Sequence, residues 1–102
     1  MLYVVEIPGY AKIGYAKDPE RRLREYQRHN PLVVRFFHVC DGEVEDEKLL
    51  QGMAEIAGFK RVGMTEWFEG ATGADFLVLV TDHHMRKESG EDDYIARSVL
   101  NS

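Results

Sequence analysis

The sequence predicts a small α+β domain, and three observations support this prediction. A β-branched, aromatic segment opens the chain at residues 2–7, a longer strand-like run spans residues 32–40, and helix signals occur after each of them, as start residues at 18–19 and as apolar spacing over 45–57. At 102 residues, with 44% hydrophobic and 30% charged side chains, the chain suits one domain with a modest core. We expect a three-stranded antiparallel sheet flanked by about three helices, because strands and helices mix without a regular alternation.

The first element is expected to be a β-hairpin. Residues 2–7 and 10–14 both have strand-like composition, and Pro8 and Gly9 between them are strong turn formers. A pair of short strands around such a turn favours antiparallel pairing.

A helix and a third strand should follow the hairpin. Asp18 is a suitable N-cap and Pro19 suits the first helical position, so we expect a helix from residue 19 to about residue 28. The near-continuous apolarity of residues 32–40 predicts a central strand that is covered on both faces.

The second half of the chain is expected to add two helices. Residues 45–57 have apolar side chains at helical spacing before Gly58, and residues 74 to about 87 favour a helix, although the run 76–80 also suits a strand. A short aromatic segment at residues 63–70 separates the two helices. We therefore expect a domain over residues 1–87, and an acidic, loosely held tail over residues 88–102.

Charge is distributed unevenly along the chain. Residues 1–40 contain seven basic and four acidic groups, giving +3, which leaves −8 for the rest of a chain whose net charge is −5. Such asymmetry can mark a basic binding face beside an acidic cation site, although differing solvated surfaces explain it equally well. The single cysteine, Cys40, and the lack of a signal-like or membrane-length apolar run favour a cytoplasmic protein.

Three motifs in the first seventy residues resemble those of one nuclease superfamily. They are Leu2-Tyr3-Val4, the run from Lys12-Ile13-Gly14 to Arg22-Leu23, and Glu66-Trp67-Phe68. Together they resemble the GIY-YIG nuclease superfamily, most closely its short stand-alone phage and bacterial branch with K-I-G and E-W-F motifs. The resemblance covers residues 1 to about 80.

The resemblance implies a metal-assisted phosphodiester-cleaving site. Tyr3 matches the GIY tyrosine, Lys12 replaces the first tyrosine of YIG, and Tyr15 follows the glycine. Arg22 matches the helix arginine, with its neighbour Arg21 as the alternative if the register is shifted by one.

General chemistry is compatible with these roles. The guanidinium of Arg22 could contact two phosphate oxygens, and Tyr26, four residues later, lies on the same helix face. Tyr3 could act as a base if Lys12 or a metal lowered its pKa. Without the resemblance, a strand tyrosine is more often a packing residue and a helix arginine is more often solvated. Arg21, Arg24 and Arg28 are candidates for tracking DNA phosphates or, equally, for solubility.

Two glutamates are candidates to hold a metal ion. Glu47 has the position that the superfamily uses, on the helix after the third strand, and Glu66 opens the E-W-F motif. The branch often has E-x-x-L-H on that helix, whereas this chain has Gln51 in place of the histidine, and glutamine cannot carry a proton. His83 and His84 are adjacent, which suits exposed residues better than a shared metal ion.

These expectations define a Mg²⁺- or Mn²⁺-dependent DNA endonuclease with a Tyr/Lys/Arg/Glu site. DNA is the expected partner, a homodimer would let two sites cut two strands, and neither a membrane nor a small-molecule cofactor is expected. Residues 1–102 contain no zinc-finger or helix-turn-helix motif, so we expect specificity to come from a loop such as residues 29–32 or from a partner. The alternative is a GIY-YIG-like domain that binds nucleic acid or a protein without cutting.

Overall fold

The computed structural model describes residues 1–29 and 33–89, which form a mixed α+β fold. Within these ranges five strands and three helices occur: β1 (Leu2–Ile7), β2 (Tyr10–Tyr15), α1 (Pro19–His29), β3 (Phe36–Cys40), α2 (Val44–Ile56), β4 (Lys60–Arg61), β5 (Phe68–Glu69) and α3 (Gly73–Ser89). The α+β class and three helices are confirmed. The prediction of a three-stranded sheet is wrong, because β4 and β5 add two strands of only two residues each, too short to show an alternating pattern.

The strands form one antiparallel sheet in the order β3-β1-β2-β5-β4. The central position of β3 was predicted wrongly, because β3 lies at an edge and β1 lies inside the sheet. Strand β3 is apolar along its length because both of its faces are partly buried. Phe36 and Cys40 pack against the core on one face of the sheet, and Phe37 and Val39 pack against the core on the other. The strand begins at Phe36, and the predicted start at Leu32 lies outside the described residues.

Alternation along β1 divides the core between the two faces of the sheet. Leu2 and Val4 face α2 and α3, where they pack with residues such as Leu50 and Phe76. Tyr3 and Val5 face the opposite side, toward α1. The candidate catalytic tyrosine is therefore on the face of the sheet that α1 covers.

Helix α1 begins as the sequence predicts, and α2 begins with a reciprocal cap. The carboxylate of Asp18 accepts a hydrogen bond from the backbone N–H of Arg21 at 3.2 Å. Asp46 accepts a 2.8 Å bond from the Glu43 backbone, which closes the first turn of α2. Beyond the end of α2, Gly58 has a φ of 98°, which a residue with a Cβ rarely adopts.

The predicted exposure of the two adjacent histidines is wrong for His83. His83 is fully buried and its Nε2 lies 2.7 Å from Oδ1 of Asp46, so it joins α3 to the start of α2. On a helix, His83 follows Phe76 and Val80 at intervals that place all three on the core-facing side.

Helix α3 continues to Ser89, two residues past the predicted domain boundary at residue 87. The rest of the predicted tail, residues 90–102, lies outside the described residues, as do residues 30–32 of the loop suggested for specificity. Within residues 1–29 and 33–89, no helix has the length and apolarity needed to cross a membrane.

Candidate active site

The site begins with a close approach between β1 and β2. Tyr3 pairs with Gly14 across the two strands, and its ring lies over the glycine backbone. The hydroxyl of Tyr3 is 2.9 Å from the hydroxyl of Tyr26 on α1. The strand pair and the helix thus fix two phenol groups against each other.

Both tyrosines are neutral near neutral pH. Burial, reinforced by the hydrogen bond with Tyr26, raises the pKa of Tyr3 well above its ordinary value, and the charge of Lys12 only partly opposes this. Burial also raises the pKa of Tyr26, against the effects of the Tyr3 bond and of Arg22. Lys12 does lower the pKa of Tyr3, but burial and the Tyr26 hydrogen bond outweigh its effect, so a bound metal ion would have to supply the rest of any shift toward a base.

Lys12 lies beside the phenol pair, inside a cage of aromatic rings. Its Nζ is 5.8 Å from the ring centre of Tyr3, 5.3 Å from that of Tyr26 and 5.4 Å from that of Trp67. The side chain is 12% exposed, and its Nζ makes a 3.3 Å ion pair with Glu66. Aromatic faces attract a cation, so this cage favours a charged ammonium next to the hydroxyls.

The other part of the site lies along an open edge of β2. On β2, strand β5 pairs only with Tyr10 and Ala11, so among the described residues the outward backbone groups of the rest of β2 lack a strand partner. Helix α2 supplies partners instead: Gln51 donates to the carbonyl of Ile13 at 3.1 Å, and Glu47 accepts from the backbone of Tyr15. Gln51 also donates to Oε1 of Glu47 at 3.4 Å, so one amide joins the strand to the carboxylate.

Glu47 and Glu66 form an electrostatically coupled pair. Burial, followed by the negative charge of Glu66, raises the pKa of Glu47, while Lys12 and the hydrogen bonds of Tyr15 and Gln51 oppose the rise. A cation between such carboxylates would relieve both the burial penalty and the repulsion. Two oxygen ligands suit Mg²⁺ or Mn²⁺, ions that keep much of their water shell.

The described residues do not include a larger metal cluster. No group of three or more His, Cys, Asp or Glu side chains is arranged there to hold an ion. At the open edge of β2 the two coupled carboxylates are Glu47 and Glu66, the candidates that the sequence predicted.

The arginines of α1 occupy two positions relative to the site. Arg22 is close enough for its charge to lower the pKa of Tyr26, and its Nη1 lies 3.7 Å from Glu25. Arg21 is 74% exposed and lines a groove of about 490 Å³ together with Arg24, Glu25 and Arg28. The geometry thus favours Arg22 over Arg21 as the arginine of the site. Arg21, Arg24 and Arg28 instead lie together on one outer surface of α1.

The structure brings together Tyr3, Lys12, Arg22, Glu47 and Glu66, and it directs the side chain of Tyr15 away from Tyr3 and Lys12. Because Gly14 and Lys12 share the face of Tyr3, alternation directs Tyr15 to the opposite face. Its backbone N–H donates to Glu47 on α2. Tyr26 and Trp67 also belong to the site, although neither is among the residues predicted for it. The signals in the sequence were the spacing from Arg22 to Tyr26 and the position of Trp67 next to Glu66.

The sequence matches a known family model over most of its length. Residues 1–81 match the model of the T5orf172 domain. The chain belongs to the T5orf172 domain family. This domain occurs in phage proteins and is associated with nuclease-like folds of the GIY-YIG and HNH types. No curated protein and no solved structure matches the chain.

Proposed function

We propose that this T5orf172 domain is a GIY-YIG-type endonuclease that cleaves DNA with the help of a divalent cation. The observation that supports the proposal best is the meeting of a phenol pair, a caged lysine and two coupled carboxylates at the open edge of β2. Phosphodiester cleavage needs positive charge at the phosphate, a path for the proton of the attacking water and stabilisation of the leaving oxygen. The site has residues suited to each need.

Two cations of the chain would bind the scissile phosphate. Lys12 is held as a point charge beside the hydroxyls, and Arg22 can present two parallel N–H donors to the equatorial oxygens. The contacts of Lys12 and Arg22 with the phosphate would become stronger as negative charge accumulates on its oxygens in the transition state.

The phenol pair would move the proton of the attacking water. Because the pKa values of Tyr3 and Tyr26 are raised, a relay fits better than a resting phenolate. In this relay the water gives a proton to Oη of Tyr3 as Tyr3 passes its own proton to Tyr26, and Tyr26 releases one to solvent. The resulting hydroxide bonds to phosphorus as the bond to the leaving oxygen breaks, and the leaving oxygen takes up a proton from solvent.

Glu47 is the proposed ligand of the cation, with Glu66 as the second candidate. Gln51 and the Tyr15 backbone orient Glu47, whereas Glu66 is already paired with Lys12. The bound ion would supply charge stabilisation for the leaving oxygen.

DNA is the proposed substrate because of the surface beside the site. Arg21, Arg24 and Arg28 line one groove on the outer side of the helix that bears Arg22. A backbone passing along this groove would place the next phosphates against α1 while one phosphate reaches Lys12.

Nicking of supercoiled plasmid with Mg²⁺ or Mn²⁺, compared with EDTA, tests the proposal. Tyr3→Phe keeps the ring but removes the hydroxyl, and we expect cleavage to fall by roughly a hundredfold or more. Tyr10→Phe, at the far end of β2, is the matched control. Arg22→Ala should also reduce cleavage roughly a hundredfold while binding weakens modestly and the melting temperature barely changes.

The non-cutting alternative makes a different prediction for the same assay. A domain that only binds DNA or a protein would leave plasmid intact with every divalent metal while still retaining DNA on a gel. In that case Arg22 would be a binding residue, and Arg22→Ala would weaken binding without any cleavage to lose.

A further inference from the structure

Trp67 is the only tryptophan of the chain, and its ring closes the cage around Lys12. The indole also meets the ring of Tyr26 edge to face, with the ring centres 6.1 Å apart. Tyr3 and Tyr26 form the other two walls and come from β1 and α1. Trp67 comes from a separate element, the turn between β4 and β5.

This turn is stiffened by its own hydrogen bonds. The backbone N–H of Val62 donates to the carbonyl of Trp67 at 2.9 Å, and the hydroxyl of Thr65 donates to the carbonyl of Val62 at 2.7 Å. The same hydroxyl accepts a 3.2 Å bond from the Trp67 backbone. Within the turn, Gly63 has a φ of 55°, in the left-handed region.

The turn is also joined to the strand that carries Lys12. Phe68, which follows Trp67, pairs with Ala11, which precedes Lys12. Because the two paired residues are the direct neighbours of Trp67 and Lys12, the sheet fixes the backbone of Trp67 relative to that of Lys12. Glu66, on the other side of Trp67, then pairs with the ammonium.

From these contacts we infer that Trp67 is a positioning residue that holds the Lys12 ammonium beside the hydroxyls of Tyr3 and Tyr26. The inference rests on the proposed function, since it assigns Trp67 to the same site. Lysine has a long flexible stem, and three ring faces restrict its ammonium more than two do. Trp67 acts through Lys12 and needs no contact with DNA.

Restricting the Lys12 ammonium matters because Glu66 would compete with a bound phosphate for it. Glu66 is 46% exposed, so an ammonium that left the cage could follow this carboxylate toward solvent. The indole keeps the cation on the inner side of the ion pair, where a phosphate at the tyrosines would meet it.

A double-mutant cycle in the plasmid assay distinguishes positioning from general packing. Trp67→Leu should reduce kcat by roughly tenfold or more with little change in KM, because the interaction serves the transition state. Trp67→Phe retains a ring face and should recover most of the rate. In a Lys12→Met background, Trp67→Leu should cause no further loss, since its target is gone. Additive losses, or full activity of a folded Trp67→Leu variant, would overturn the inference.

An NMR measurement tests the same inference without requiring cleavage. The ε-methylene protons of Lys12 should be shifted upfield by the surrounding rings in the wild type and in Trp67→Phe. They should move toward the ordinary lysine position in Trp67→Leu, with circular dichroism confirming that this variant is folded. Unchanged shifts in Trp67→Leu would refute the positioning role. If the wild type never cuts but these shifts follow the prediction, the proposed function fails and the positioning of Lys12 stands.

Discussion

The ring of Tyr3 lies over Gly14 in the space that the Cβ of any other residue would occupy. A Cβ built on Gly14 falls well inside contact distance of the Cζ and Oη atoms of Tyr3. The glycine of the K-I-G motif is thus required by the position of the candidate catalytic phenol.

Gly14→Ala should therefore displace the Tyr3 hydroxyl and abolish cleavage, with a loss of stability of about 1–3 kcal/mol from overpacking. Gly42→Ala is the matched control, because its Cβ would meet the side chain of Leu2, away from the phenol pair. Urea unfolding and plasmid nicking measure the two effects. We expect both variants to lose stability and only Gly14→Ala to lose activity; equal activity in the two would contradict the assigned role of Tyr3.

Metal binding should depend on Glu47 and on pH. The carboxylate must be ionised to bind a cation, and its pKa is raised, so affinity should decline as pH falls through a range above that of an ordinary glutamate. Glu47→Gln should abolish binding. Glu66→Gln removes a like charge, which lowers the pKa of Glu47 and should move the decline to lower pH.

Terbium luminescence, sensitised by Trp67, can follow this binding at pH 5 to 7. Glu45→Gln, an exposed position on the same helix, is the control and should bind like the wild type. If Glu47→Gln retains full affinity and Glu66→Gln loses it, the ligand is Glu66. Retention in both variants would exclude this pair as the cation site.

Gln51 should matter for both stability and metal affinity. Gln51→Met removes the donor to the Ile13 carbonyl, and leaving that buried acceptor unpaired should cost about 1–3 kcal/mol. Glu47 would lose its Gln51 contact at the same time, so terbium affinity should fall. Gln27→Met, exposed on α1, should change neither quantity. A stable Gln51→Met variant with unchanged affinity would show that the amide has no orienting role.

DNA affinity should decrease steeply with salt if the outer arginines follow the backbone. Each phosphate contact contributes about one unit to the slope of log affinity against log salt, so Arg24→Ala or Arg28→Ala should reduce the slope by about one, for all sequences alike. Lys48→Ala removes the same charge from an exposed site on α2 and is the control. A slope near zero, or one that these arginine changes leave intact, would exclude the proposed surface.

Acid should weaken the link between α2 and α3. Burial alone would raise the pKa of Asp46, but its hydrogen bonds with Glu43, His83 and Lys87 lower it to about 2. Because the folded pKa lies below the unfolded value of about 3.9, the stabilisation is complete above that value and disappears as pH falls through about 2. Its size is on the order of 2 kcal/mol.

Asp46→Asn should remove this dependence, so urea unfolding of the variant should change less between pH 5 and pH 2 than that of the wild type. Asp41→Asn, at an exposed neighbour, should leave the acid dependence in place. An acid profile of Asp46→Asn that matches the wild type would mean that other carboxylates determine acid stability.

Local signals were sufficient for the elements that the sequence predicted well. Pro8 and Gly9 mark the hairpin, and Asp18 and Pro19 mark the start of α1, because turns and caps depend on neighbouring residues. The order of the strands depends on long-range pairing, so apolarity alone could not distinguish the edge strand β3 from a central one.

The site was predictable where it followed motifs and not where it depended on contacts between distant segments. Glu66 contacts Lys12 although the two residues are 54 positions apart in sequence. The residues next to Lys12 in sequence therefore do not indicate that its ammonium lies in an aromatic cage. The position of Tyr15 is different, since strand alternation already implies that Lys12 and Tyr15 face opposite sides. The burial of His83 was also predictable, because His83 continues the helical spacing of the buried residues Phe76 and Val80. The adjacent His84 drew the prediction toward an exposed pair instead.

Within the described part of the chain, the short β5 strand leaves part of the β2 edge without a neighbouring strand. An exposed edge of a sheet offers backbone groups to which another chain can add a strand, and such additions lead to aggregation. Along β2 these groups are occupied by Gln51 and Glu47, so the side chains proposed to organise the metal also block strand addition. Variants that release both side chains should therefore lose solubility together with activity.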